Sequence, residues 1–304
     1  MDEFALIRRY FHHRQGEDVV LGPGDDAALL SPPAGEQLVM TLDTSVAGRH
    51  FPEDMPAADI GYRCLAVNLS DLAAMGATPR WFLLSLTLPE ADPDWLRDFS
   101  AGLFELADQA GISLVGGDVT RGPLNIAIQA TGSVLPGRAL CRDGARPGQT
   151  LAVTGVPGQG GLGLRHWRAG MRDSQSARHF ARPRPALEWG AALAGRAGAA
   201  LDVSDGLLQD LGHILSASGD LGAELVLADL PVNDELAALE AEDRWALQLS
   251  GGDDYGLLFT WPAGVAVPAG ARAIGRVTDG PGVRLHYPDG RVSDAEPGGW
   301  RHFG

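Results

Sequence analysis

The sequence predicts an α/β (α+β layered) protein of two domains. Apolar runs of strand length alternate with stretches of helical periodicity in two successive series. Residues 136–149, rich in Gly, Arg and Pro and poor in apolar periodicity, separate the two series and give domains over 1–137 and 138–304. The 304 residues suit one large or two ordinary domains, and a hydrophobic content of 45% is ample for a packed core.

In the first series, Phe4, Leu6, Ile7, Tyr10 and Phe11 follow Asp2 at helical spacing and predict a short amphipathic helix. Residues 27–30 and 37–42 read as strands, and a helix over 56–75 has Asp54 as its candidate cap and Pro56 near its first turn. A strand over 81–88 and a helix over 93–110 closed by Gly111 come next, then strands over 112–115 and 124–135. The second series predicts strands near 151–154, 201–203, 223–226, 256–260 and 271–277, with helices near 160–169, 185–197, 206–217 and 234–249. From Gly280 the chain is turn-rich and ends in Trp300-Arg301-His302-Phe303.

A net charge of −15 argues against nucleic acid as a partner, because a phosphate backbone demands a basic stripe and the arginines are scattered. The chain has no run of 18 apolar residues, so no membrane span is expected. Met1-Asp2-Glu3-Phe4 lacks the basic-then-apolar order of a signal peptide, and a cytoplasmic location is expected. Cys64 and Cys141 form no metal pair and read as small buried hydrophobes in a reducing compartment.

Short acidic clusters punctuated by Gly or Ser end many of the apolar runs: Gly24-Asp25-Asp26, Asp43-Thr44, Asn68-Leu69-Ser70-Asp71, Gly116-Gly117-Asp118, Asp202-Val203-Ser204-Asp205-Gly206 and Gly251-Gly252-Asp253-Asp254. Carboxylates gathered this way repel unless a cation sits among them, and hard oxygen donors favour Mg²⁺. Metal ions would also let an acidic protein take a polyphosphate.

Asn68 and Asp71 share a helix face, with the alternative that Asp71 merely caps or solvates it. Gly116-Gly117-Asp118 reads either as close backbone approach to a ligand or as a plain turn. Ser204 or Asp205 caps the helix from Gly206, whose free amides could receive phosphate oxygens. Gly160-Gly161-Leu162-Gly163 is not followed by Lys-Ser or Lys-Thr, so it is no Walker loop, and protein-kinase and Gly-x-Ser-x-Gly signatures are absent. His50 falls in a loop beside the Asp43 cluster, either near an anionic substrate group or as surface decoration.

In order, the clusters resemble the thiamine-monophosphate kinase family, within the superfamily typified by aminoimidazole ribonucleotide synthetase. The resemblance rests on residues 22–27, on Asp43-Thr44 with Gly48-Arg49-His50-Phe51, and on the long run 66–77 around Asn68 and Asp71. It continues through residues 116–122, 202–207 and 251–255. It implies two domains, each a mixed β-sheet packed with helices, and a homodimer joined through the N-terminal sheets. The implied magnesium ligands are Asp26, Thr41, Leu42 (through its carbonyl), Asp43, Asp71, Asp118, Asp202 and Asp205. The implied ATP contacts are Gly117, Asp118, Arg142 and Ser204, and the implied substrate contacts are His50, Asp253 and Trp300. The family often carries Glu where Asp253 and Gly256 stand here.

The implied reaction is ATP-dependent phosphorylation of thiamine monophosphate to thiamine diphosphate. Other expectations are a different ATP-using chemistry of the superfamily, such as amide activation in purine synthesis, or a non-catalytic metal- or nucleotide-binding scaffold. Selenophosphate chemistry would need a reactive Cys near the N-terminus, and none precedes Cys64.

Overall fold

The computed structural model describes residues 3–295 and 298–299. The chain divides into two compact units, one of residues up to Leu72 with Ala77–Gly137, the other of Ala73–Gly76 with the residues from Arg138 onward.

The first unit opens with α1 (Glu3–Tyr10), which buries Leu6 and Tyr10. A two-stranded ribbon follows, β1 (Val19–Leu21) against β2 (Leu29–Leu30). Here the expected strand over 27–30 shrinks to two residues, and β1 was unforeseen because three residues are too few to show an alternation. A four-stranded sheet is built from β3 (Gln37–Val46), β4 (Thr78–Leu88), β5 (Ser113–Arg121) and β6 (Asn125–Val134) in the order β3-β6-β4-β5. Only the β4/β5 pairing is parallel, so the sheet is mixed.

Helices α2 (Ala57–Ala74) and α3 (Pro93–Ala110) connect these strands. α2 places Leu65, Leu69 and Leu72 at full burial, and the Pro56 carbonyl accepts from the Ile60 N–H at its first turn, as the place of Pro56 in the sequence predicts. The Asp92 side chain accepts from Asp94 and Trp95, Pro93 opens the first turn, and left-handed Gly111 (φ 67°) ends α3.

Three strands of this unit exceed their expected length, β4 by starting at Thr78 rather than at 81. β3 runs past Asp43-Thr44 to Val46, because every residue from Gln37 onward finds a partner in β6. β5 carries Gly116-Gly117-Asp118 within the strand, not in a turn after it. Gly117 has φ 149°, and a Cβ there would lie 1.9 Å from the Leu84 carbonyl oxygen, so the glycine serves a close approach beside the bulge in the β4/β5 pairing.

The second unit holds a seven-stranded sheet of order β13-β12-β9-β11-β7-β10-β8. Its strands are β7 (Thr150–Val153), β8 (Ala200–Asp202), β9 (Gly222–Val226), β10 (Leu257–Trp261), β11 (Arg272–Thr278), β12 (Gly282–His286) and β13 (Val292–Asp294). Its helices are α4 (Gln159–Arg168), α5 (Gln175–Ala181), α6 (Leu187–Leu193), α7 (Leu207–Ala217), α8 (Asp234–Ala237) and α9 (Ala241–Ser250). Leu151, Leu201, Leu211, Ile214, Leu225, Leu258 and Ile274 form the centre of its largest apolar cluster.

The helix expected over 234–249 is two helices. Leu236 and Leu247 pack in one cluster with Leu162, so apolar spacing could not reveal the break between them. α5 was not expected, and α6 is shorter than the 185–197 stretch. β12 and β13 replace the turn-rich tail, since short strands at a sheet's margin leave little pattern. Cys64 is buried as expected, but Cys141 is exposed.

Candidate active site

In the first unit, β3 and α2 bring one set of predicted residues together. Asn68, fully buried on α2, donates through Nδ2 to the Cys64 carbonyl at 2.9 Å and accepts the Asp43 N–H on Oδ1 at 3.1 Å. The amide therefore pins the strand to the helix at the acidic position. Two residues earlier on β3, the Thr41 hydroxyl donates to Asp71 Oδ2 in a short hydrogen bond. Thr41 and Asp43 share one face of the strand, so Leu42 points the other way and is 64% exposed. Only the backbone carbonyl of Leu42 can serve the role the resemblance implies. Asn68 was noted in the sequence for its spacing; its work as a strand–helix pin becomes visible only through its partners.

Asp118 lies apart from this set. Register aligns Leu42, Gln129, Leu83 and Gly116 in one row, so Asp118, two residues beyond Gly116 and paired with Ser85, faces the side of Leu42. There it lines a cavity of about 870 Å³ together with Asp25 and Asp26, while Leu38, Met40 and Trp81 supply much of its apolar wall. The Asp26 N–H donates to Asp25 Oδ1 at 2.8 Å. The first unit's acids thus form two groups on opposite sides of one sheet.

His50 stands in the turn after β3. Its Nδ1 accepts the Val46 N–H at 3.0 Å, which leaves the ring proton of the neutral form on Nε2, and its carbonyl accepts from Arg63 Nε at 3.3 Å.

In the second unit, Asp202 ends β8 with 6% exposure. The loop after it is held by a residue that the sequence reading missed. Asp210 Oδ2 accepts the N–H groups of Ser204, Asp205 and Gly206 at 3.0, 3.1 and 3.1 Å. Of the helix-start amides expected to await phosphate oxygens, that of Gly206 is taken by this side chain, and no side chain of Ser204 or Asp205 caps α7. Burial, then the neighbouring Asp205 charge, push the Asp210 carboxyl up to about 6 against the pull of the three N–H bonds. Ligand atoms of Asp205, Asp210 and His213 lie within 4.8 Å of one another. An acid four residues past a glycine helix start, Gly206, was the available signal for this loop staple.

The Gly251–Asp254 cluster folds against the same loop. Asp253 N–H donates to the Ser204 carbonyl at 2.8 Å and Tyr255 N–H to the Val203 carbonyl at 2.8 Å. The Tyr255 hydroxyl donates to Asp253 Oδ1 at 2.9 Å. Asp254, buried, accepts the N–H groups of Gly158 and Gly160 at 2.7 and 2.8 Å and so caps α4. The glycines near 160 therefore meet a carboxylate and the Gly252–Asp253 backbone; a Cβ on Gly160 would lie 2.2 Å from the Asp253 carbonyl oxygen. A Cβ on Gly256 would lie 2.4 Å from the Thr154 carbonyl oxygen, so the Glu frequent there in the family does not fit this backbone. Arg142 is exposed, and its carbonyl accepts from Ser218 Oγ at 3.1 Å. Trp300 lies outside the described residues.

Mixed sheets packed with helices, with acids gathered at strand ends and glycines in tight contacts, define the class as a two-unit α/β protein. Residues 24–134 match the family "AIR synthase related protein, N-terminal domain". A thiamine-monophosphate kinase of Escherichia coli (strain K12) is 49% identical over 272 residues, covering 86% of this chain and 82% of that protein. A crystal structure of thiamine-monophosphate kinase from Stenotrophomonas maltophilia K279a superposes with TM-score 0.84 at 42% identity, covering 95% of this chain and 96% of the other. A structure of AaThiL complexed with AMPPCP and TMP gives TM-score 0.80 at 30% identity, covering 92% and 91%. The chain belongs to the thiamine-monophosphate kinase family.

Proposed function

We propose that this protein transfers the terminal phosphoryl group of ATP to thiamine monophosphate, forming thiamine diphosphate and ADP. The observation that carries this reading is the family relation at 49% identity across 86% of the chain. A related structure holding AMPPCP and TMP together gives it further support. The nucleophile would be a phosphate oxygen, already largely ionised at neutral pH because its second pKa is about 6, so the chain needs no strong general base.

The obstacle is charge. Two like unit charges about 4 Å apart repel by about 4 kcal/mol at an effective dielectric of 20, and several meet in this reaction. The donor set suits magnesium: the candidate ligands offer oxygen alone, from Asp26, Thr41, the Leu42 carbonyl, Asp43, Asp71 and Asp118 in the first unit and from Asp202 and Asp205 in the second. When bound, Mg²⁺ would offset the phosphate charge and hold the reacting oxygens in line. Asn68 and Thr41 orient the first of these ligand groups, and Asp210 fixes the loop that carries Ser204 and Asp205. We assign Gly117, Asp118, Arg142 and Ser204 to ATP, and His50, Asp253 and Trp300 to thiamine monophosphate. The first unit is proposed as the metal, nucleotide and dimerisation domain, and the second as the source of further nucleotide and substrate contacts.

We further propose a homodimer formed through the open side of the four-stranded sheet, where Leu38, Met40, Leu42 and Leu83 are 49%, 66%, 64% and 41% exposed. No described helix is long and apolar enough to cross a membrane, and a cytoplasmic location is proposed from the two unpaired cysteines.

Purified protein given ATP, Mg²⁺ and thiamine monophosphate should form thiamine diphosphate, and chelation by EDTA should stop it. Product no greater than in an enzyme-free control, or product with a purine-pathway amide acceptor in place of thiamine monophosphate, rejects the reading.

A further inference from the structure

We infer that Tyr255 is a specificity-determining positioning residue, whose hydroxyl fixes the Asp253 carboxylate in the orientation that receives the thiamine phosphate acceptor. The inference rests on the assignment of Asp253 to that acceptor made above.

Among the described residues, positive φ outside glycine occurs at Asp220, Asp253 and Tyr255, with values of 55°, 59° and 53°. Asp tolerates the left-handed region; a bulky aromatic residue there is a genuine outlier, and such strain persists only where the surroundings over-determine it. They do so here from several directions. Asp253 and Tyr255 donate their N–H groups to the Ser204 and Val203 carbonyls, and the buried Asp254 side chain between them is bonded to the Gly158 and Gly160 amides. Gly252, at φ 65°, has room for no Cβ, which would lie 2.6 Å from the Ser204 carbonyl oxygen.

The consequence of two left-handed residues flanking one right-handed or extended residue is a short loop in which side chains two positions apart meet. Tyr255 is 8% exposed, and its hydroxyl donates to Asp253 Oδ1 at 2.9 Å. Asp is one methylene shorter than the Glu common at this position in the family, so its carboxylate has fewer orientations, and the Tyr255 hydroxyl is a fixed donor that directs it. A carboxylate so held suits a cationic or amino-bearing heterocycle, the part of thiamine phosphate that distinguishes it from other phosphate acceptors.

Steady-state kinetics on wild type, Tyr255→Phe, Asp253→Ala and the double variant test the assignment, with thiamine monophosphate and ATP varied separately. A hydrogen bond to a charged group predicts that Tyr255→Phe raises KM for thiamine monophosphate about tenfold or more, with KM for ATP changed less than about twofold. In the Asp253→Ala background the same substitution should add nothing, because the acceptor through which the hydroxyl acts is gone. An unchanged KM for thiamine monophosphate, full additivity in the double variant, or a parallel rise in KM for ATP with a lowered unfolding temperature would each overturn the inference. A wild type without transfer activity would count against the proposed function instead. Calorimetric binding of thiamine monophosphate to wild type and Tyr255→Phe would then still decide the role of Tyr255, with equal affinities overturning it.

Discussion

A carboxylate removed from water must find donors, and Asp210 and Asp254 find theirs in backbone amides. Burial is the largest influence on Asp254 and pushes it up to about 8; its two N–H bonds act the other way, and the charges of Asp253 and Asp210 add to the rise. The folded chain then keeps a proton that the unfolded chain releases near its ordinary 3.8, so this group's contribution is full below about pH 4 and is lost as pH climbs towards 8. Urea unfolding between pH 5 and 8 should show stability falling with pH, by up to about 1.4 kcal/mol per unit from this group, and Asp254→Asn should flatten that slope. Parallel slopes in the two proteins would mean that Asp254 is ionised when folded. Asp71 gives a complementary case: Asn in its place still accepts the Thr41 hydroxyl but no longer offers a charged ligand. Asp71→Asn is expected to lower phosphoryl transfer by about a hundredfold or more, with stability changed by less than about 1 kcal/mol. Retention of activity at low Mg²⁺ would remove Asp71 from the ligand set.

Among the elements, α3 was legible to the residue because its ends are written locally: Asp92 and Pro93 at the start, Gly111 at the end. Asp92→Ala should therefore cost about 1 kcal/mol in a thermal or urea unfolding experiment. β5 was read short, since Gly116-Gly117 looks like a turn until its neighbour strand is known. Gly117→Ala tests the structural account: with the Leu84 carbonyl 1.9 Å from the added Cβ, destabilisation of at least about 2 kcal/mol is expected, and a neutral result would contradict the close β4/β5 approach. The candidate site divides in the same manner. Its ligand types were visible as acids, whereas Asp210 and the Tyr255–Asp253 pair depend on backbone turns that no periodicity encodes.

For the whole molecule, the open side of the four-stranded sheet is the feature with the widest consequence. Apolar residues on alternate positions of β3 face outward, an arrangement that a monomer in water would not favour. Met40→Glu places a charge at its centre and should shift sedimentation equilibrium from dimer towards monomer, with the fold retained by circular dichroism. A wild type that sediments as a monomer at micromolar concentration would end the dimer proposal.

The amino-acid sequence alone determined the alternation of strands and helices, the oxygen-rich character of the acid clusters and the family, because each is recorded in local pattern and order. Tertiary structure alone decided which acids share a face of the sheet, which carboxylates spend themselves on backbone amides, and which glycines exist for want of space. Those outcomes depend on register and burial, and both are set by residues far apart in the chain.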